Sequence, residues 1–365
     1  MTVLFLMENA GGGGAESFVR TLAEEYKKRN ISCILGFDRP GPLSEAAEGA
    51  GLKTVKLGLG RKDFFRAPKE LARICAKRHV DVIHAQFPRE NVIALRAAKR
   101  CLGVEVVYTD HMSVYQGLKW RILNRIYCRR NAFAAAVWEG GRSVLLKNAV
   151  PADKIRVIPN GVSLPGPAAE DAACAKACLA DRFGVPEGAF VMCSMARLSP
   201  EKGSDVLVEA LAELKKITAR RFFCIIAGEG PMKGSLCARA EELGISDCIR
   251  FAGRIDDGQI KAALLSGSDL YVNSSRSEAM SIAVLEAMSC GLAQVLTDVG
   301  AARELGCGIV VPPEDPQALA AAVKRIMEDE ALRTQLAEKS LEAARSRYSA
   351  ERMADSYLNG GKDDR

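Results

Sequence analysis

The sequence predicts an α/β protein made of two doubly wound parallel-sheet domains. Three observations point there. Short apolar runs alternate with amphipathic, helix-length segments along the chain, the pattern of parallel strands covered by helices on both faces. The alternation stops at an Ala-, Pro- and Gly-rich stretch, 163–189, and then restarts. The 365 residues exceed one ordinary core but suit two domains of about 150–200 residues each.

In the first half, "VLFLM" (3–7) reads as a buried strand. A glycine run follows, then "AESFVRTLAEEYKKR", whose Phe18, Leu22 and Tyr26 recur at helical spacing. Further strands are "ISCILGF" (31–37), "DVIHAQF" (81–87), "VEVVYTD" (104–110), "AAAVW" (134–138) and "IRVIPNGV" (155–162). In the second half the strands are "FVMCSMA" (190–196), "RFFCIIAGEG" (221–230), "ISDCIRFAG" (245–253), "DLYVNSS" (269–275) and "AQVLTD" (293–298). "GSDVLVEALAELKKI" and "IAVLEAMSCG" read as helices, with Gly291 just past the end of the second. "YSAERMADSYLNGG" reads as a terminal helix before a charged tail. The expected division is an amino-terminal domain 1–163, a linker 164–187, a carboxyl-terminal domain 188–346, and a helix and tail 347–365. Such sheets bind ligands at the carboxyl ends of their strands, and two facing domains place a cleft there.

Hydrophobic residues make up 48% of the chain and charged ones 26%, ordinary for a soluble protein. No apolar run is long enough for a membrane span. The start, "MTVLFLMENAGGGG", lacks the basic region of a signal peptide, so a cytoplasmic setting is expected. The 12 cysteines stand singly in apolar contexts, as buried free thiols do, and the three histidines are not near them in sequence. With no Asp-x-Asp either, no metal site is expected. Residues 1–160 carry 27 Lys and Arg against 15 Asp and Glu, while the remainder carries 24 against 30. That asymmetry implies a one-sided interaction. "GLKWRILNRIYCRR" (117–130) sets Trp120, Leu123 and Ile126/Tyr127 at helical spacing among five cations, and "RKDFFRAPKELARICAKR" (61–78) is similar. A basic face with an aromatic suits an anionic membrane surface. No nucleic-acid reading motif accompanies the charge.

Four motifs carry chemistry. "NAGGGGAES" follows the first strand and opens a helix, so its backbone can approach an anion. The third glycine of a dinucleotide fingerprint is missing, which disfavours a nicotinamide dehydrogenase, although Asp38 stands where a ribose-binding acid would sit. "ARLSPEKGSD" places Arg197 and Lys202 in a loop before a helix, suited to a diphosphate. "AGEGP" is a tight turn. "RSEAMSIAVLEAMSCG" holds Glu278 before a helix start and Glu286 about two turns inside. Eight residues of helix would separate them by ~12 Å, too far for carboxylates sharing one reaction.

"RLSPEKG", "GEGP", "FAGRI", "SEAMSIAVLEAMSCG" and "TDVGAARE", in this order, resemble the carboxyl half of the retaining glycosyltransferases of family 4. "GGGGAE", "DVIHAQ", "VVYTDH" and "IRVIPNGV" extend the resemblance over the amino half. It implies the GT-B fold, with two facing Rossmann-like domains and a terminal helix returning to the amino-terminal domain. It also implies hexosyl transfer without a metal or other cofactor, from a nucleotide-sugar, a UDP-sugar before a GDP-sugar. The acceptor would be a glycan or lipid-linked intermediate bound by the amino-terminal domain. By position, Arg197 and Lys202 match the cations on the donor diphosphate, and Glu278 the acid on the transferred sugar. The backbone of Ala279, Met280, Ser281 and Ile282 matches the loop that meets sugar and phosphate. Glu286 matches the ribose acid, Arg254 the position whose backbone meets the base, Gly13 and Gly14 the loop near phosphate and acceptor, and His111 a histidine close to the donor sugar. His79 and His84 read as structural or acceptor-side. Ala279 and Ala293 stand where the family has glycine and proline, and Gln294 replaces an apolar residue. A nucleotide-sugar epimerase and a non-catalytic partner subunit are the alternatives on the same fold.

Overall fold

A computed structural model describes residues 1–49, 52–164 and 172–361. The chain divides into two compact units, Met1–Gly161 with Ala350–Arg365, and Val162–Ser349.

In the first unit the order is β1 (Thr2–Asn9), α1 (Gly14–Lys28), β2 (Ser32–Arg39), α2 (Pro42–Gly49), β3 (Lys53–Lys56), α3 (Ala67–Arg78), β4 (Val82–Ala85), α4 (Pro88–Ala98), β5 (Glu105–Asp110), α5 (Leu118–Tyr127), β6 (Phe133–Ala136), α6 (Glu139–Lys147) and β7 (Ile155–Val157). The seven strands pair in the order β3-β2-β1-β4-β5-β6-β7, all parallel. Val3 to Met7 of β1 are buried, as an unbroken apolar run at the centre of a twice-covered sheet must be. Phe18, Leu22 and Tyr26 face the core from α1.

The second unit runs α7 (Ala172–Phe183), β8 (Phe190–Met195), α8 (Ser204–Ile217), β9 (Phe222–Ala227), α9 (Lys233–Glu242), β10 (Ile249–Gly253), α10 (Gly258–Gly267), β11 (Leu270–Asn273), α11 (Ile282–Ser289), β12 (Gln294–Thr297), α12 (Ala302–Leu305), β13 (Gly308–Val311), α13 (Pro316–Glu328) and α14 (Glu330–Ser346). Its six parallel strands pair in the order β10-β9-β8-β11-β12-β13. A last helix, α15 (Ala350–Leu358), returns to the first unit. Its Tyr357 hydroxyl lies 2.8 Å from Thr109 Oγ1, and Arg29, just past α1, pairs with its Asp355 at 2.8 Å.

Two strands escape the sequence reading. β3, "KTVK", is a half-exposed edge, and β13, "GIVV", is short and glycine-led. Of the expected linker, 165–171 lie outside the described residues. Ala172–Phe183 form α7, which packs on α10. The tail residues 362–365 also lie outside.

Candidate functional site

Each sheet reverses its strand order once, between β1 and β4 in the first unit and between β8 and β11 in the second. Parallel sheets bind ligands outside the carboxyl ends of the strands at such points. The loops that leave those four strands begin at Ala10, Gln86, Ala196 and Ser274, and three of them carry the motifs singled out above.

In the second unit, the loop after β8 turns through Pro200–Lys202 and enters α8 at Gly203. The loop after β11 lies directly against it. Backbone N–H groups of Arg276 and Ser277 donate to the Glu201 carbonyl at 2.9 and 3.3 Å. Arg276 grips Asp205 of α8 with both terminal nitrogens at 2.8 and 2.7 Å, and also reaches Glu314 and the Pro200 carbonyl. Held in this way, Lys202 Nζ and Glu278 Oε1 stand 2.6 Å apart, both half-buried, and the Ser275 hydroxyl donates to the same Glu278 oxygen at 2.9 Å. Arg197 is more exposed and pairs with Glu201 at 2.6 Å. The Ser199 hydroxyl at 2.7 Å, together with Arg197, holds the Glu201 carboxyl down to about 2.

Glu278 stands four residues before α11, so the helical rise between it and Glu286 covers only part of the eight residues. What separates the two acids is their partners. Glu286 meets Lys261 of α10 at 2.7 Å, while Glu278 meets the loop after β8. The chain enters α11 at Ser281 with no side-chain cap, so the first N–H groups of the helix are open to an anion. Met280, Ala279 and Ser281 border a cavity of about 20 Å³, room for about one water. Buried Gln294 donates its amide to the Val284 carbonyl at 3.0 Å, tying β12 to α11. Ala293 is buried beside it, and Ala279 accepts from Ala301 N–H at 2.8 Å. Arg254, just past β10, pairs with Asp256 at 2.6 Å. The structure thus brings Lys202, Glu278 and the α11 start together, and holds Arg254 and Glu286 on other elements of the same unit.

Gly13, Gly14 and His111 belong to the first unit. Gly13 caps α1, and its N–H donates back to Glu16 at 3.1 Å. His111 follows β5, lies edge-on to Phe18 with ring centres 4.8 Å apart, and bonds Gln86 Oε1 through Nε2 at 2.8 Å. The Gln86 amide nitrogen is spent on the His84 carbonyl, so its oxygen accepts and the His111 proton sits on Nε2. Desolvation pushes both imidazoles down to about 3, aided at His84 by His111. His84 is buried against Phe5, Phe18 and Tyr357 and bonds Thr109, a structural role. His79 ends α3 in a left-handed turn. Sequence reasoning passed over two buried acids here. Asp110 Oδ2 has no hydrogen-bond partner among the described residues, and desolvation raises that carboxyl. Glu90 accepts from Glu8 N–H at 2.9 Å, yet desolvation pushes it up to about 7.

These shifts predict a pH dependence. The folded histidines stay neutral at pH 5, whereas the unfolded chain is protonated below about 6.5. Each ring therefore removes stability as pH falls from about 6.5, at up to about 1.4 kcal/mol per pH unit. Glu90 and Asp110 act in the opposite sense, because folding raises their proton affinity. His111→Gln should flatten the loss of urea-unfolding free energy between pH 6.5 and 5. An unchanged slope would mean that the folded ring is protonated.

Arg276, Asp205, Ser275 and Lys261 are site residues that sequence reasoning missed. Arg276 and Asp205 each lie in one of the motifs, but nothing in the sequence pairs them, while Glu314 and Lys261 carried no signal. Among the described residues, no three His, Cys, Asp or Glu side chains converge as a metal set would.

Residues 12–164 match the family described as "Glycosyltransferase Family 4", and residues 179–343 match "Glycosyl transferases group 1". A D-inositol 3-phosphate glycosyltransferase of Saccharomonospora viridis is 31% identical, over 95% of this chain and 88% of its own. The lipopolysaccharide core biosynthesis glycosyltransferase LpsE of Rhizobium meliloti is 32% identical over 48% of this chain, which spans about half of that relative, 51%. Anabaena Alr3699/HepE, solved in complex with UDP-glucose, superposes with a TM-score of 0.84 at 21% identity, covering 98% of each chain.

Proposed function

The chain belongs to the group 1, family 4 glycosyltransferases, and on that premise we propose that it moves a sugar from a UDP-sugar to a lipid-linked or cell-surface polysaccharide acceptor. We read the transfer as retaining and metal-independent, and its setting as the cytoplasmic face of the membrane. The observation that carries this reading is the Lys202–Glu278 pair, held beside the uncapped start of α11 by Arg276.

An ammonium has three donors, and one suffices for Glu278. The others are free for diphosphate oxygens, so Lys202 would join the sugar-holding acid to the leaving group. As the bond from the anomeric carbon to the phosphate oxygen breaks, negative charge grows on the diphosphate. Lys202, Arg197 once it leaves Glu201, and the N–H groups of α11 are fixed positive ends for that charge. The acceptor oxygen bonds the anomeric carbon on the same face, and its proton passes to a donor phosphate oxygen. Glu278 takes sugar hydroxyls and Glu286 the ribose hydroxyls. Gly13, Gly14 and His111 serve the phosphate and acceptor side, and the backbone after Gly253 meets the base. The UDP preference draws on the Anabaena complex, and the envelope acceptor on the name of LpsE.

A thermal-shift series with UDP, GDP and their sugars tests the donor. UDP-sugars should stabilise the protein, and Glu286→Ala should weaken UDP by about 10-fold or more, the loss of hydrogen bonds to a charged group. Equal UDP affinity in wild type and Glu286→Ala would remove the ribose role. No stabilisation by any nucleotide-sugar would favour a non-catalytic partner, and donor turnover without acceptor an epimerase. Undiminished transfer in EDTA, with the anomeric configuration of the product read by NMR, tests the chemistry. A soluble anionic acceptor is the second reading. It is favoured by the inositol phosphate named for the Saccharomonospora relative and by the basic first unit.

A further inference from the structure

Helix α5 has two apolar faces, and the fold uses one. Trp120, Leu123 and Tyr127 turn inward and are half-buried, while Asn124 is buried and donates to the Asn148 carbonyl at 2.9 Å and to Gln116 at 3.0 Å. The stripe expected to meet a membrane is therefore packed against the protein, apart from Ile126. On the opposite side Leu118, Ile122 and Ile126 are 71%, 51% and 60% exposed. Spaced four residues apart, they fall within about 80° of one another at 3.6 residues per turn. In the loop before the helix Met112, Val114 and Tyr115 are exposed as well. Five cations frame it, Lys119, Arg121, Arg125, Arg129 and Arg130, and no acidic residue occurs from His111 to Trp138. None of the five has a carboxylate partner among the described residues.

We propose that this face inserts into the interface of an anionic bilayer, with the apolar stripe at acyl depth and the cations among the lipid phosphates. This rests on the reading of a membrane-borne acceptor and says which surface meets the lipid. The chemistry selects that occupant. A second copy docking about a two-fold axis would set unpaired cations against their own images. A bilayer of acidic lipids supplies apolar depth and phosphate together. The first helical turn after β5 then rides on the membrane, and β5 ends beside His111.

The test uses the full chain with vesicles of phosphatidylcholine alone or mixed with phosphatidylglycerol. Binding to the mixed vesicles is expected at low salt, weakened by added salt but not abolished, because insertion is not screened. Leu118→Ser/Ile122→Ser/Ile126→Ser should lose about 10- to 100-fold in vesicle affinity, from the apolar area no longer removed from water. Its melting point and UDP stabilisation should equal those of wild type. Equal vesicle binding by wild type and the triple variant would overturn the proposal. So would a wild-type dimer that the triple substitution makes monomeric in sedimentation, since that assigns the face to a second copy. UDP stabilisation is read in parallel. A wild type that binds UDP but no mixed vesicles sinks the lipid face alone, and one that binds the vesicles but gains no stability from UDP sinks the UDP-donor reading alone.

Discussion

Lys202→Ala is expected to lower turnover by about 10²–10³-fold, the loss typical when one preorganised charge partner of a transition state is removed. The fold should hardly register it. The pair with Glu278 is half-buried but still reached by solvent, and pairs that solvent screens contribute about 0–1 kcal/mol. In a unit of this size that is a change of at most about 2–4 °C in melting point. Glu278 keeps the Ser275 hydroxyl and so does not become an orphaned buried acid. Turnover with the best UDP-sugar and a melting curve, read on the same preparation, separate the two effects. Turnover within threefold of wild type would end the role assigned to Lys202. The double variant Lys202→Ala/Glu278→Gln sharpens the result. If cation and acid grip one donor as a unit, the combined loss will be smaller than the product of the single losses.

The strands most legible in the sequence are those buried on both faces, although the partly exposed edge strands β7 and β10 were read as well. "VLFLM" can be nothing else in a parallel sheet, whereas "KTVK" at an exposed edge has no apolar run to betray it. The candidate site was legible where its residues sit in the loop after a strand, as Lys202 and Glu278 do. It was not legible where the role comes from a contact. Arg276 matters through Asp205 and Glu314, 71 and 38 residues away, and Lys261 through Glu286, 25 residues away. Helix α5 shows why periodicity alone misleads. The residues 120, 123 and 127 and the residues 118, 122 and 126 satisfy helical spacing equally well, and only the neighbouring fold decides which set is buried. The two glutamates make the same point. Distinct partners, rather than helical rise, set them apart.

Gly203→Ala should be among the most damaging single-methyl changes at the site. A β-carbon at Gly203 would fall 2.0 Å from the Ser274 carbonyl oxygen, and the residue sits at φ +61°. The glycine is what lets the loop after β8 touch the loop after β11, and Lys202 beside it owes its place to that contact. Two costs combine. Holding alanine in the left-handed region costs about 1–2 kcal/mol, and the backbone clash adds a displacement of the loops that no rotamer change can relieve. Gly188 separates the terms. It has nearly the same conformation, φ +72°, but a β-carbon there would meet nothing within 4 Å. Gly188→Ala should show the conformational cost alone and leave UDP stabilisation untouched. Gly203→Ala should lower the melting point further and weaken the UDP-sugar response as well, because the opened contact moves Lys202 away from Glu278. Equal melting points for the two variants would mean that the loops yield without cost. The close packing of Ser274 on Gly203 would then not be what holds the cation and the acid 2.6 Å apart.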